Sequence, residues 1–527
     1  MSSAWAKVIS HDALRAKRKA IVRHNGKQIV LFDTPDGVFA CNNRCPHEGY
    51  PLREGSLDDR CILTCNWHNW KFDLKDGANL YGGDRLRVYP VELRDGDVWL
   101  DLTDEPFKSR HDKIMKNLRE AFNDHSYDRI AREIARLRLA GADPIEAVTA
   151  ALQWSHDRFE FGWSHAYAGA AEWLTLFDER TGDHETQLVC LMEVVGHIAE
   201  DTLRHETFPF SLDARKYDED AFVRAVDDED EATAISLLRG ALDAGMEFTK
   251  LERGFARAAL AHYADFGHCL IYVTKAAKLT ERLGQSVAWP VLAPLVRSLV
   301  YSRREEQIPE FRSYGSALKA WGKSTVTDVP DAVQFRGLNA KQALELAAQH
   351  GAADPVTLYA TLLTASANNM LAYDLNYQQH TDRSFRDNVG WLDLTHAITF
   401  ANAVRLTCAK FPELWPQGLL QMACFSGRNA PYTDASLDSA RWQVGDIEAF
   451  IDGAIETLFE HGQAEYIVSV HFLKTFLASR EEIRSGAVGE AAQPLAAALN
   501  RLINSPLKRK HTRRTAHQAM TFVALDG

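Results

Sequence analysis

No stretch of this 527-residue chain approaches the ~20 uncharged apolar residues that a membrane helix needs. The first residues, MSSAWAKVISHDALRAKRK, also lack the roughly 7–15-residue apolar core of a signal peptide. A cytoplasmic protein with no membrane partner is therefore expected. Positive charge is scarce as well. With 60 Lys and Arg against 72 Asp and Glu, the formal charge is -12, which argues against an extended nucleic-acid surface. One basic run, KRKHTRR from Lys508 to Arg514, reads as a solvated helix end or interface rim. In a reducing compartment the eight cysteines are expected to be metal ligands or buried apolar residues, with no disulfides.

What is present divides into two grammars, and 46% hydrophobic content supports more than one core. Short apolar or alternating runs at 20–22, 28–32, 37–41, 89–93 and 98–100 are separated by Pro35-Asp36-Gly37, Asp76-Gly77 and Asp95-Gly96 turns. They predict a small antiparallel all-β domain over residues 1–104, with Thr103 to Lys113 as the linker. From residue 105 to 527 the spacing turns helical, as at 131–139, 187–203, 255–283, 356–372 and 392–411. The fold class expected is multidomain, a small antiparallel β domain followed by a large all-α domain.

Residues 45 to 68 read CPHEGYPLREGSLDDRCILTCNWH. Cys45 and His47 form one finger, and Cys65 and His68 the other. Thiolates are soft donors suited to iron–sulfur clusters, and neutral imidazole leaves a cluster less negative than a further thiolate would. A zinc site from the same residues is disfavoured because zinc sites commonly pair like ligands as C-x-x-C and H-x-x-x-H. From the first strands through CNWHNWKFDLKDG to RVYPVELRDGDVWLDL the stretch resembles Rieske proteins. The resemblance implies a [2Fe-2S] cluster bound by Cys45, His47, Cys65 and His68, shielded by Trp67 and Trp70. Neither finger carries the additional cysteine of respiratory Rieske proteins, so the ferredoxin or oxygenase type without a disulfide is implied. Cys41 and Cys61 read as packing residues.

A Rieske cluster moves electrons and does no substrate chemistry itself. Rieske oxygenases carry their catalytic iron on [DE]-x-x-H-x₃₋₄-H, and that pattern is absent: Asp265/His268 and Asp393/His396 lack the second histidine. The helical part instead offers His165, His197, His262, His268, His396 and His471 on apolar faces, with Lys474 one turn beyond His471. For each alone, a hydrogen-bonded core histidine is the ordinary reading; together, beside an electron-delivering cluster, they suggest an iron site. Burial would lower the Lys474 pKa, leaving it a structural lysine or a group able to take up CO₂. Through RLRLAGADPIEAV, ALAHYADFGHCLIYV, THAITFANAV and VHFLK, this part resembles the questin oxidase-like family, which acts on aromatic polyketides. The resemblance implies a non-heme Fe(II) held by four histidines and a carboxylated Lys474, drawn from His165, His197, His268, His396 and His471, with His262 as a further candidate. The chain departs from that family in its fused Rieske domain and in offering only His111 and His125 near the start of the helical part.

The function expected is a Rieske-coupled non-heme iron oxygenase or oxidase acting on O₂ and a small organic substrate. Its electrons would come from a separate NAD(P)H-dependent reductase or ferredoxin. Asp393 and Glu193 are candidates to orient ligand imidazoles, and Trp163, Tyr272, Trp391 and Phe400 to line a pocket. By analogy with Rieske oxygenases, a homo-oligomer would pass electrons across a subunit boundary. Two rivals remain open: a carboxylate-bridged di-iron centre, and a non-enzymatic electron carrier or redox sensor whose helical part binds partners.

Overall fold

The run Ile29-Val30-Leu31-Phe32 is buried at every position, although a half-exposed strand would alternate. In the computed structural model it is strand β3 at the centre of the N-terminal unit. Val30 and Phe32 face one core with Cys41, Cys45, Cys65 and Phe72. Ile29 and Leu31 face another with Ala20, Ala40, Val98 and Leu100. Burial on both faces is what makes the run continuous. Each phenylalanine so enclosed contributes about 2–3 kcal/mol of transfer free energy.

The structure describes residues 5–24, 26–80, 83–379, 389–486, 488–507 and 512–525. Of the basic run, Lys508 to His511 lie outside these residues. Two compact units emerge: Met1–Ala121 with Ser126–Pro144, and Phe122–His125 with Ile145–Gly527. In the first unit, β1 (Trp5–Ser10), β9 (Val91–Arg94) and β10 (Asp97–Asp101) form a sheet in the order β1-β10-β9. A second sheet joins β2 (Lys19–His24), β3 (Lys27–Thr34), β4 (Gly37–Asn42) and β8 (Val88–Tyr89) in that order. A third joins β5 (Ser56–Leu57), β6 (Ile62–Thr64) and β7 (Lys71–Asp73), and all the pairings are antiparallel. The expected β domain is thus present.

The expected linker is a correction. A helix, Phe107–Asn123, begins inside it. Its buried residues Ile114, Leu118, Ala121 and Phe122 have helical spacing, but they start only after the charged first turn, so the sequence pattern lapses where the helix does not. A second helix, Tyr127–Ala140, ends at Gly141 in the left-handed conformation. It presents Arg129, Arg132 and Arg136 to Asp84, which is fully buried. Arg132 Nε lies 2.9 Å from one carboxylate oxygen, and Arg136 and Arg129 lie 3.2 and 3.5 Å from the other. Burial alone would raise the Asp84 carboxyl, but the guanidiniums of Arg136 and Arg132 outweigh it and hold it below the ordinary range.

The second unit is helical. Four of its helices close a ring: His165–Glu179 packs on His268–Leu283, which packs on Trp391–Lys410, then on Tyr466–Ser485, which returns to the first. The first and last approach so closely that a Cβ on Gly169 would sit 2.5 Å from Val470. Another helix, His184–Asp201, packs along the outside of His165–Glu179. Among the described residues no helix is long and apolar enough to cross a membrane.

Removing Asp84 should strip Arg132 of its carboxylate and leave Arg129 and Arg136 with only Glu120 and Glu133. Asp84→Ala is expected to destabilise the N-terminal unit by about 3–5 kcal/mol in chemical denaturation. Because the folded carboxyl is depressed, its contribution is complete above the ordinary value of about 3.9 and is lost as pH falls through the lower folded value. The difference between wild type and variant should therefore shrink in strong acid.

Candidate functional site

The two fingers share one backbone frame. Cys45 N–H donates to Tyr50 O (2.9 Å) and Gly49 N–H to Cys45 O (2.8 Å). In the second finger Cys65 N–H donates to Trp70 O (2.7 Å) and Asn69 N–H to Cys65 O (2.9 Å). The fifth residue of each frame, Gly49 or Asn69, has positive φ, of 76° and 62°. The frames hold both cysteines in the core, 4% and 1% exposed, and aim His47 Nδ1 and His68 Nδ1 at each other across 3.2 Å. Burial pushes the Cys45 thiol up to about 11, and the neighbouring Cys65 sulfur adds to the rise. A bound cation would let the Cys45 thiol ionise, and two sulfurs beside two imidazole nitrogens are a donor set that fits a metal cluster. Trp70 stacks on His47 (centroids 4.4 Å) and Trp67 on His68 (4.9 Å), as expected of shielding residues. Glu48 approaches the outer Nε2 atoms of His47 and His68 at 3.8 and 3.9 Å.

In the second unit the ring of helices brings four of the predicted histidines into one cycle of neighbours. Nε2 of His268 lies 3.2 Å from Nε2 of His165 and 2.9 Å from Nε2 of His396. His471 Nε2 lies 3.3 Å from that of His396. Neighbouring ring centroids around the cycle 165–268–396–471 are 4.6–4.9 Å apart. The candidate ligand atoms of His165, His268 and His396 all fall within 4.8 Å of one another. His396 and His471 are each the sixth residue of their helices, and each Nδ1 faces the carbonyl one turn back, Leu392 at 2.7 Å and Ile467 at 2.5 Å. His268 Nδ1 faces Asp265 at 3.4 Å. These partners reserve the Nδ1 proton and leave Nε2 as a lone-pair donor. Burial drives His165, His396 and His471 well below their ordinary pKa, and the surrounding imidazoles and Lys474 reinforce this.

His268 is placed by an unusual turn. Asp265, Phe266 and Gly267 all have positive φ (49°, 53° and 74°), so the chain turns sharply and His268 becomes the first residue of its helix. A Cβ at Gly267 would meet the Phe400 ring at 2.5 Å. Left-handed aspartate and phenylalanine store strain that only surrounding structure maintains. Here Arg428 lies over the Phe266 ring, 3.8 Å from its centroid.

The residues matched by the Rieske [2Fe-2S] domain family are 4–87, which include Cys45, His47, Cys65 and His68. Over 76 residues the chain is 37% identical to the 3-phenylpropionate/cinnamic acid dioxygenase ferredoxin subunit of Escherichia coli (strain K12), covering 14% of this chain and 72% of that protein. This chain belongs to the Rieske [2Fe-2S] family. A Rieske domain-containing protein of Homo sapiens is 28% identical over 120 residues, 19% of this chain and 76% of its own length. Among solved structures, the ferredoxin of carbazole 1,9a-dioxygenase from Nocardioides aromaticivorans IC177 aligns at 22% identity over 19% of this chain and 100% of that one, with a TM-score of 0.18. All eight cysteines are free and buried, and Cys41 and Cys61 pack in the Rieske core.

Other predicted residues lie elsewhere. His197 is outside the cycle: its ring stacks on Tyr466 (4.9 Å), with Nε2 3.7 Å from Asp201. Together with His165, these residues border a cavity of about 290 Å³. His262 bonds Glu306 and Asp227 at 2.5 and 2.6 Å in an ion-pair network that includes Arg304. Asp393 accepts the Gly390 N–H (2.8 Å) at the start of its helix and faces Arg428, while Glu193 meets His461 at 3.1 Å. The carboxylate at a clustered histidine is Asp265, whose three-residue spacing to His268 was its signal. Tyr272 does pack on His268 (5.3 Å) and on Trp163, and Phe400 on Gly267, whereas Trp391 packs on Tyr373. Lys474 is 1% exposed, its Nζ without a hydrogen-bond partner, and burial beside Lys275 lowers its pKa to about 7.

Gly267→Ala forces both a clash and a strained φ. It should cost roughly 1–3 kcal/mol in thermal or chemical denaturation of the helical unit, while the visible spectrum of the Rieske cluster stays unchanged.

Proposed function

We propose that the chain is a Rieske-coupled non-heme iron oxygenase or oxidase, its cluster supplying electrons to an iron site in the helical unit. The observation that supports this reading is the convergence of His165, His268 and His396, with His471 beside His396, near a buried lysine that has no hydrogen-bond partner among the described residues, in a chain that also carries a one-electron cluster. Neutral imidazoles 2.9–3.3 Å apart through acceptor atoms repel one another unless a cation lies among them. The donor set His165, His268, His396 and His471 is nitrogen-only and fits iron. Iron bound there would supply O₂ activation. The protein's part is to fix His268, His396 and His471 through their Nδ1 partners, Asp265 and the Leu392 and Ile467 carbonyls.

Lys474 extends the reading. A lysine titrating near 7 is substantially neutral at physiological pH, and a neutral amine adds to CO₂. The nitrogen lone pair forms the C–N bond, one proton leaves, and a carbamate oxygen becomes available as an anionic ligand. Questin oxidase-like proteins, which the helical part resembles, use such a lysine, and an aromatic substrate follows from the same resemblance. Electrons would arrive from a separate NAD(P)H-dependent reductase or ferredoxin.

Among the described residues no carboxylate joins the grouped histidine nitrogens, which disfavours the di-iron alternative. Metal analysis of anaerobically purified protein should find one iron per chain beyond the two of the cluster. His396→Ala and His471→Ala should lose that iron and keep the cluster's electron paramagnetic resonance signal. Lys474→Met should lose the carbamate resonance that ¹³C-labelled bicarbonate gives the wild type. Cluster iron alone would leave an electron carrier or sensor, and two additional irons would revive the di-iron centre.

A further inference from the structure

Beside the first Rieske finger the N-terminal unit opens a cavity of about 630 Å³ that the proposed chemistry does not use. Cys45, Pro46 and Gly49 of the finger form one side. Much of the remaining wall is apolar, from Leu86, Val88, Ile114 and Leu139, and Leu139 is 87% exposed at a position where a soluble helix would ordinarily carry a polar residue.

The charges around this wall are unevenly matched. Lys113 pairs with Glu105 at 2.7 Å, Arg87 with Asp104 at 2.9 Å, and Arg136 with Asp84 and Glu133. Arg44 and Arg110 also line the cavity, and among the described residues neither pairs with a carboxylate. The Arg110 Nε is buried without a hydrogen-bond partner. Guanidiniums that line a cavity without a carboxylate partner can offer their remaining N–H donors to an anionic oxygen entering it.

We propose that this cavity binds a small organic carboxylate, its carboxylate held by Arg44 and Arg110 and its apolar body laid against Leu86, Val88, Ile114 and Leu139. A single carboxylate fits better than a phosphate dianion, because Glu105, Glu133 and Asp76 also border the space and would repel a second charge. The apolar wall would bury the remainder of such a ligand and gives inorganic phosphate nothing to bury. The site also has a redox consequence. An anion beside the Cys45 finger opposes the additional negative charge of a reduced cluster, so the ligand binds the oxidised form more tightly and lowers the reduction potential. This inference is independent of whether the helical unit holds iron.

The test uses the full chain with its cluster assembled, and benzoate as the probe. Calorimetric titration should show saturable benzoate binding that inorganic phosphate does not displace. Arg110→Gln and Arg44→Gln should each weaken binding about tenfold or more, as loss of a charge-assisted bond predicts. Saturating benzoate should lower the cluster's midpoint potential in the wild type and leave it unchanged in Arg110→Gln. Arg44 is exposed, so Arg44→Gln carries the test if Arg110→Gln fails to assemble. Absence of saturable binding at millimolar benzoate, wild-type affinity in the variants, or equal competition by phosphate would overturn the site. A potential unmoved by bound benzoate would overturn the coupling.

Discussion

The crowding of His165, His268, His396 and His471 into one cycle is the constraint around which the helical unit is organised. Burial disfavours the imidazolium form of His165, His396 and His471, which would relieve the crowding by turning acceptors into donors. The Nδ1 protons of His396 and His471 face helix carbonyls, so they cannot be moved inward to bridge the nitrogens. What remains is an arrangement that repels itself unless a cation is bound. The closed ring of helices, with the close approach at Gly169, holds it against that repulsion.

The two ways of mounting a histidine are complementary. His396 and His471 sit mid-helix, where side-chain direction is fixed by the backbone and the carbonyl one turn back selects the tautomer. His165 and His268 are each the first residue of a helix and enter from the loop side, His165 after the Ser164 cap and His268 after the left-handed Asp265-Phe266-Gly267 turn. The mid-helix histidines form a rigid back to the cluster and the first-turn histidines a front. The cavity bordered by His165 lies on that front.

How much could be read from residues alone follows from chain distance. The Rieske fingers were legible as a motif, because Cys45, His47, Cys65 and His68 fall within 24 consecutive residues and local hairpin geometry fixes their spacing. The β segments were legible too, since β3 is apolar enough to mark a strand buried on both faces. The histidine cycle was legible as a set of candidates and no further. His197 and His165 look alike in sequence, and only the rotation of neighbouring helices decides which ring turns inward. The helical run expected over 255–283 is broken between Leu260 and His268, where the left-handed Asp265-Phe266-Gly267 turn interrupts a stretch whose apolar spacing continues through it. Asp393 and Asp265 hold the same spacing to a histidine, yet Asp393 is spent on its own helix start, on Gly390 and Arg428.

The burial of Asp84 bears on how such a chain was assembled and how it can be taken apart. The residues matched by the family end at Val88's doorstep, at 87, yet the charges that neutralise Asp84 stand on the helix Tyr127–Ala140. A fragment cut at the end of β10 would keep the carboxylate and lose every guanidinium that compensates it. The portable module is therefore larger than the sequence family: a recombination event, or a fusion designed at the bench, has to carry the β sheets together with the arginine helix to move the cluster intact.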